Sequence, residues 1–190
     1  MTTTQPVRSK IQVQLLAAYY LKSGEIRNYV LIILGLYTAL RSSDILRLQW
    51  DDVYDFENER VKADICIYEC KTGKSKIIAL NKTAIGALTL HAAGNVRRGA
   101  YILENTKTLK AISRIQAYRI IRAAGEALGL ERNISCHALR KTFGYHAWRD
   151  GAKPVVLMDI FNHSSYEVTK RYLGITQDDK NDVYLGLSFN

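Results

Sequence analysis

An uncharged run at residues 29–40, from Tyr29 to Leu40, constrains this chain more than any other stretch. A membrane-spanning helix needs about 20 apolar residues. The run is twelve long, so it is expected to be a helix enclosed by protein at the centre of a core. Arg41 follows at once. A charged side chain must therefore emerge from apolar surroundings at a rigid helix end. Ser42 or Ser43 is placed to cap a new short helix running through Arg47 and Leu48.

The rest of the chain can wrap such a helix. It has 190 residues and is 47% hydrophobic, enough for one large domain with a real core. The formal net charge is +9, spread from end to end rather than in one block. That favours a polyanionic partner, nucleic acid above all, with an anionic membrane surface as the other class that fits. Cys66, Cys70 and Cys136 are odd in number and fit no disulfide framework, which points to a reducing cytoplasm. The first ten residues are polar and carry no apolar segment of the signal-peptide kind.

Periodicity divides the chain into further elements. Helical patterns are read at 11–21, 25–40, 83–92, 108–128, 137–149, 154–161, 165–173 and, weakly, 178–187. Alternation predicts strands at 61–68 and 75–80, joined through Cys70-Lys71-Thr72-Gly73-Lys74 as a hairpin with a basic tip. An earlier strand is expected near 50–55, and a short extended piece at 101–103. Cys66 and Cys70 are read as small core residues of the hairpin. The fold class is α+β, mostly α, with a small antiparallel sheet at one edge.

Several motifs are weak. Gly73-Lys74-Ser75 would end a phosphate-binding loop, but the glycine such a loop requires at position 68 is Tyr68. Cys66, Cys70, Cys136 and His137 lack the tight Cys-x2-Cys knuckle of a zinc site. Asp51 and Asp52, with Asp44 and Asp55, read as caps and turns before they read as a nuclease metal site. No metal, cofactor or small-molecule ligand is expected.

One set of residues carries chemistry as a group. Tyr172 is a candidate nucleophile on a DNA phosphodiester. A phenol has a pKa near 10, so it needs a base, and His137 or His163 suits. Arg41 and Arg140 can hold the non-bridging oxygens of a pentavalent phosphorus in bidentate geometry, standing in for a metal. Lys71 can protonate the departing 5′ oxygen. A phosphotyrosine link would store the bond energy, so no nucleotide is needed. Lys74, Arg97, Arg98, Lys110, Arg114, Arg119, Arg122 and Lys141 are candidate DNA-phosphate contacts.

These boxes resemble the catalytic domain of tyrosine recombinases, the phage integrase family. The resemblance rests on Leu40-Arg41-Ser42-Ser43-Asp44-Ile45-Leu46-Arg47-Leu48, Lys71-Thr72-Gly73-Lys74, His137-Ala138-Leu139-Arg140-Lys141-Thr142-Phe143, and Phe161-Asn162-His163-Ser164-Ser165 with Thr169 and Tyr172. It runs from about residue 14 to the end, with Asn162 where the family usually has glycine. It implies that Arg41 and Arg140 clamp the scissile phosphate, that Lys71 is the general acid, and that His137 assists proton transfer. His163 would donate a hydrogen bond to the phosphate, and Tyr172 would form a 3′-phosphotyrosyl intermediate. It also implies a tetramer on double-stranded DNA that integrates, excises or inverts a mobile segment in the cytoplasm. The expected organisation is a flexible stretch 1–10, a catalytic domain 11–175 and a tail helix in 176–190 packing on a neighbouring copy, without the family's N-terminal core-binding domain. The alternatives are a type IB topoisomerase-like nicking-closing enzyme and a non-catalytic DNA-binding regulator.

Overall fold

The computed structural model describes residues 4–130 and 134–188. Its helices, in chain order, are α1 (Lys10–Lys22), α2 (Ile26–Tyr37), α3 (Ser42–Ile45), α4 (Trp50–Val53), α5 (Lys82–Ala92), α6 (Arg114–Ala127), α7 (Cys136–Arg149), α8 (Pro154–Phe161), α9 (Tyr166–Leu173) and α10 (Gln177–Gly186). The strands are β1 (Tyr54–Asp55), β2 (Arg60–Val61), β3 (Asp64–Tyr68), β4 (Ser75–Ala79), β5 (Glu104–Asn105) and β6 (Lys110–Ala111).

The uncharged run forms α2, as its composition requires. Val30, Ile32 and Leu34 are fully buried, and Leu31 and Ile33 are nearly so. Each such side chain contributes about 1.5–3 kcal/mol by leaving water. Helices α1, α5 and α7 surround α2. Helix α7 comes close at Gly35, where a Cβ would lie 2.6 Å from Leu139 Cδ1. A second, smaller cluster joins Ala39, Leu157, Phe161 and Leu173, and so binds α8 and α9 to the end of α2.

The mostly helical class with small antiparallel elements holds, with corrections of detail. The expected single sheet is three separate two-stranded ladders, β1-β2, β3-β4 and β5-β6. The strand expected at 50–55 begins as α4, started by a reciprocal bond in which Gln49 N–H donates to Asp52 Oδ2 at 2.8 Å. The helix expected from residue 108 starts only at Arg114. Leu109 has φ 55°, and Ser113 and Gln116 form a capping box that sets the start. Neither Ser42 nor Ser43 caps α3. Arg41 holds the cap position with extended backbone (φ −74°, ψ 153°), and its carbonyl accepts from Asp44 N at 2.9 Å and Ile45 N at 3.0 Å. Of the stretch 1–10 expected to be flexible, residues 1–3 lie outside the described residues; beyond them, Val7 N–H donates to Thr142 Oγ1 at 2.9 Å, and His146 Nε2 is 2.9 Å from Val7 O, both on α7.

The hairpin β3-β4 faces the other way from the sequence reading. Ile65 and Glu69 are buried, whereas Cys66 and Cys70 are exposed. The strand alternates with period two, so placing the cysteines inside shifts every residue to the wrong face.

Candidate active site

Helix α2 ends at a left-handed Ala39 (φ 54°), and the chain then swings out extended through Arg41. This turn aims the Arg41 side chain across the second apolar cluster. Its Nη2 donates to Phe161 O at 3.3 Å, and its Nη1 lies 2.9 Å from Glu69 Oε2. Arg140 comes from the second turn of α7, capped by Ser135. It is 3% exposed. Its Nη1 donates to Ala39 O, its Nη2 to Phe161 O at 3.4 Å, and its guanidinium lies 4.9 Å from the Phe161 ring centre. Two guanidinium groups thus share one carbonyl, which fixes them side by side.

The phenol of Tyr172 projects from α9 into the same corner. Its Oη is 3.5 Å from His137 Nδ1, with the rings edge-on and 5.1 Å between centres. The His163 ring meets it at 4.8 Å and stacks on Phe161 at 5.3 Å. His163 Nδ1 is 3.0 Å from Thr169 Oγ1, and the Thr169 hydroxyl donates to Ser165 O at 3.4 Å. Lys71 is exposed at the hairpin tip and lines the same cleft as Arg41, His137 and Arg140. The six expected catalytic residues therefore converge from five separate parts of the chain.

The electrostatics suit an incoming anion. Burial raises the pKa of Tyr172, although Arg140 and Arg41 pull it back down. Burial lowers the pKa of His137, and Lys141 and Arg140 push it the same way. His163 is lowered by burial and then by Arg140, Arg41 and His137. Both imidazoles are thus held towards the neutral, proton-accepting form.

Sequence reasoning missed three residues here. Glu69 has a fully buried side chain and accepts from Thr72 Oγ1 at 2.8 Å and Asn162 Nδ2 at 2.7 Å. Lys76 Nζ lies 3.8 Å from Glu69 Oε1 and donates to Ile160 O at 2.5 Å. Burial lowers its pKa, Arg140 and Arg41 add to the fall, and Glu69 opposes it. Asp44 Oδ1 accepts from Cys70 N at 2.9 Å and so ties α3 to the base of the hairpin. The signal for Glu69 was present in the strand alternation Ile65, Ile67, Glu69.

Among the expected DNA contacts, Arg114 lines the cleft. Lys74, Lys110 and Arg119 are exposed. Arg97 is held bidentately by Glu104 at 2.7 and 2.9 Å, Arg98 lies 3.7 Å from Asp51, and Arg122 pairs with Glu126 at 2.7 Å. Lys141 is buried rather than on the surface: its Nζ donates to Thr4 O at 2.8 Å and sits 5.3 Å from the Tyr172 ring centre. Among the described residues, no group of three or more His, Cys, Asp or Glu is placed to hold a metal, and no helix is long and apolar enough to cross a membrane.

A buried helix that delivers an arginine, a hairpin that carries a lysine, and a tyrosine helix packed on two histidines meet in this one corner of the fold. The phage integrase family profile matches residues 7–178. The chain is 39% identical over 184 residues to "Probable integrase/recombinase YoeC" of Bacillus subtilis, covering 97% of each. It is 30% identical to "Type 1 fimbriae regulatory protein FimE" of Escherichia coli over 86% of this chain and 81% of that one. It is 26% identical to "Tyrosine recombinase XerD" of Corynebacterium glutamicum, spanning 53% of that protein's length. The crystal structure of XerA recombinase superposes with TM-score 0.76 at 21% identity, over 97% of this chain and 66% of that one. A XerH recombinase bound to its difH substrate after cleavage superposes with TM-score 0.75 at 16% identity, over 97% and 54%. The chain belongs to the phage integrase family and is an integrase/recombinase of the tyrosine recombinase class.

Proposed function

We propose that this chain carries out the site-specific DNA recombination of its family through a covalent 3′-phosphotyrosyl intermediate on Tyr172. One observation carries the reading: the Tyr172 hydroxyl lies 3.5 Å from His137 Nδ1 and within the field of the paired guanidinium groups of Arg140 and Arg41. Arg41 and Arg140 hold the non-bridging oxygens of the scissile phosphate. Tyr172 Oη attacks phosphorus as its proton passes to His137. The P–O5′ bond breaks, and Lys71 supplies the proton for the leaving 5′ hydroxyl. A second 5′ hydroxyl then attacks the phosphotyrosine, rejoining the strand and returning Tyr172 as the phenol. His163 steadies the phosphate through its Nε2.

The substrate we infer is double-stranded DNA in the cytoplasm, bound by several copies of the chain, a tetramer in the complete assembly. Integration, excision and inversion share this chemistry. In residues 176–190, α10 leaves Val183, Tyr184, Leu185 and Leu187 between 66% and 85% exposed. This supports packing of the tail on a neighbouring copy. Lys74, Lys110, Arg114 and Arg119, exposed and clear of the ion pairs described above, are the foremost phosphate contacts.

The test is a denaturant-resistant protein–DNA adduct on a nicked duplex carrying the sequence that flanks the gene. Wild-type chain is expected to form it and Tyr172→Phe to lose it. An adduct that persists in Tyr172→Phe would overturn the nucleophile. Efficient relaxation of a supercoiled plasmid without a site would favour the topoisomerase-like alternative.

A further inference from the structure

We propose that Glu69 is a positioning residue for strand cleavage, locking Arg41, the lysine hairpin and the His163 turn into one unit. The inference rests on the cleavage role proposed above. Glu69 is a fully buried carboxylate at the end of β3, two residues before Lys71. A single oxygen, Oε2, takes three contacts from three places. Arg41 Nη1 at 2.9 Å comes from the start of α3, and Thr72 Oγ1 at 2.8 Å from the hairpin turn. Asn162 Nδ2 at 2.7 Å comes from the end of α8, directly before His163. The backbone of Glu69 closes the turn as well, donating to Lys74 O at 3.0 Å and accepting from Gly73 N at 2.8 Å.

Burying a carboxylate costs several kcal/mol unless charge and hydrogen bonds compensate. Three cations, Arg41, Arg140 and Lys76, surround this one acid. The cluster therefore keeps a positive excess for a phosphate while the carboxylate offsets the repulsion between the two side-by-side guanidinium groups. Asn162 sharpens the point. Its backbone is left-handed (φ 53°), where glycine is the default. Asparagine tolerates that conformation and adds the amide that reaches Glu69. Movement of the hairpin tip is thus mechanically linked to the arginine and to the histidine turn.

The experiment uses the full chain and reads two quantities: single-turnover adduct formation on the nicked duplex, and DNA affinity. Glu69→Ala is expected to slow adduct formation about 100-fold while affinity stays within about 3-fold. Glu69→Gln keeps an acceptor at the Oε2 position and should recover to within about 10-fold of wild type. Asn162→Gly should slow the step about 5-fold, and adding it to Glu69→Ala should cost nothing more, because both remove one link. A duplex with sulfur at the bridging 5′ position releases a thiolate that needs no proton. On it, Glu69→Ala should regain the part of the rate lost through Lys71. A Glu69→Ala chain at the wild-type rate or faster, multiplying effects in the double variant, or equal loss on the sulfur duplex would each overturn the proposal. If Glu69→Ala fails to fold, Asn162→Gly at the wild-type rate overturns it alone. Wild-type chain that forms no adduct would overturn the cleavage reading and this inference together.

Discussion

Tyr172 Oη lies 3.5 Å from His137 Nδ1, and the phenol is the more reluctant of the two to give up its proton unaided. Burial raises the Tyr172 pKa, and burial with Lys141 and Arg140 lowers that of His137. Protonated His137 cannot accept. Cleavage per encounter, kcat/KM, should therefore rise with pH through a histidine pKa below the ordinary 6.5 and level off near neutrality. His137→Gln should lose this limb and slow cleavage about 100-fold. Single-turnover rates from pH 5 to 8 check it; a limb centred above about 7 would exclude His137 as the base.

His163 should take up a proton when DNA binds. Its Nδ1 faces Thr169 Oγ1 at 3.0 Å; if the Thr169 hydroxyl gives its hydrogen to Ser165 O, 3.4 Å away, Nδ1 carries the ring's proton in the neutral form. Its Nε2 can then donate to a phosphate only as imidazolium. Without DNA, burial and the positive charges of Arg140 and Arg41 keep the pKa low. A phosphate reverses the sign of the local field and raises it. DNA affinity should therefore increase as pH falls from 8 to 6, with about one proton absorbed per site. Calorimetry in buffers of different ionisation enthalpy measures the uptake, and His163→Asn should abolish most of it.

Much of this site was legible in the residues, and the illegible part has a common cause. Arg41, Arg140, His137, His163, Lys71 and Tyr172 are each weak alone; they stand out because together they supply the parts of one reaction, in boxes that resemble the family's in order and spacing. Helix α8 was legible to the residue, since Pro154 opens it and Phe161 closes an apolar run. Glu69, Lys76 and Asp44 were not legible as site residues. They act through contacts between segments distant in sequence, which no local pattern encodes. The hairpin also shows how one phase error propagates. Reading the cysteines as core hid the acid on the same strand. The start of α6 was missed because helical periodicity continues upstream of Ser113, whereas the left-handed Leu109 and the capping box end it.

Gly144 should be intolerant of a methyl group. A Cβ there would meet Leu173 Cδ2 and Phe161 Cζ, each at 2.6 Å. Both neighbours are buried core side chains, and Leu173 follows Tyr172 directly. Gly144→Ala should lower stability by about 1–3 kcal/mol despite alanine's better helix propensity. It should also slow cleavage by displacing α9. Urea unfolding reads the first effect and adduct formation the second. An unchanged midpoint would mean that α9 moves away without loss.

Salt dependence of binding should separate exposed arginines that look alike in sequence. Arg114 lines the cleft, whereas Arg97 is gripped by Glu104 with two hydrogen bonds. If Arg114 neutralises one phosphate, Arg114→Ala should reduce the slope of log affinity against log salt by about 0.9. Arg97→Ala should leave the slope unchanged. Equal slopes for the two variants would remove Arg114 from the interface.

The anchoring of α10 should depend on one carboxylate. Asp179 is 4% exposed; its Oδ2 accepts from Thr176 N at 2.7 Å and Thr176 Oγ1 at 3.0 Å, and its Oδ1 from Tyr145 Oη at 3.3 Å. Arg8 and Arg149 stand 3.6 and 3.7 Å away. Burial works to raise the Asp179 pKa, but the Thr176 hydrogen bonds and Arg8 outweigh it and leave it below the ordinary 3.8. A depressed carboxylate contributes its stability above the unfolded pKa and loses it as pH falls through the folded one. The anchor is therefore intact at pH 7 and released in acid, below about 4. Asp179→Asn should remove it at every pH, costing about 1–3 kcal/mol through unmatched buried partners. Amide exchange in α10 should speed up in the variant at pH 7, while the α2 amides keep their protection. If a neighbouring copy takes the exposed end of α10, the same variant should assemble poorly on DNA yet still cleave a nicked half-site. Faster exchange across the whole chain would instead place Asp179 in the general stability of the domain.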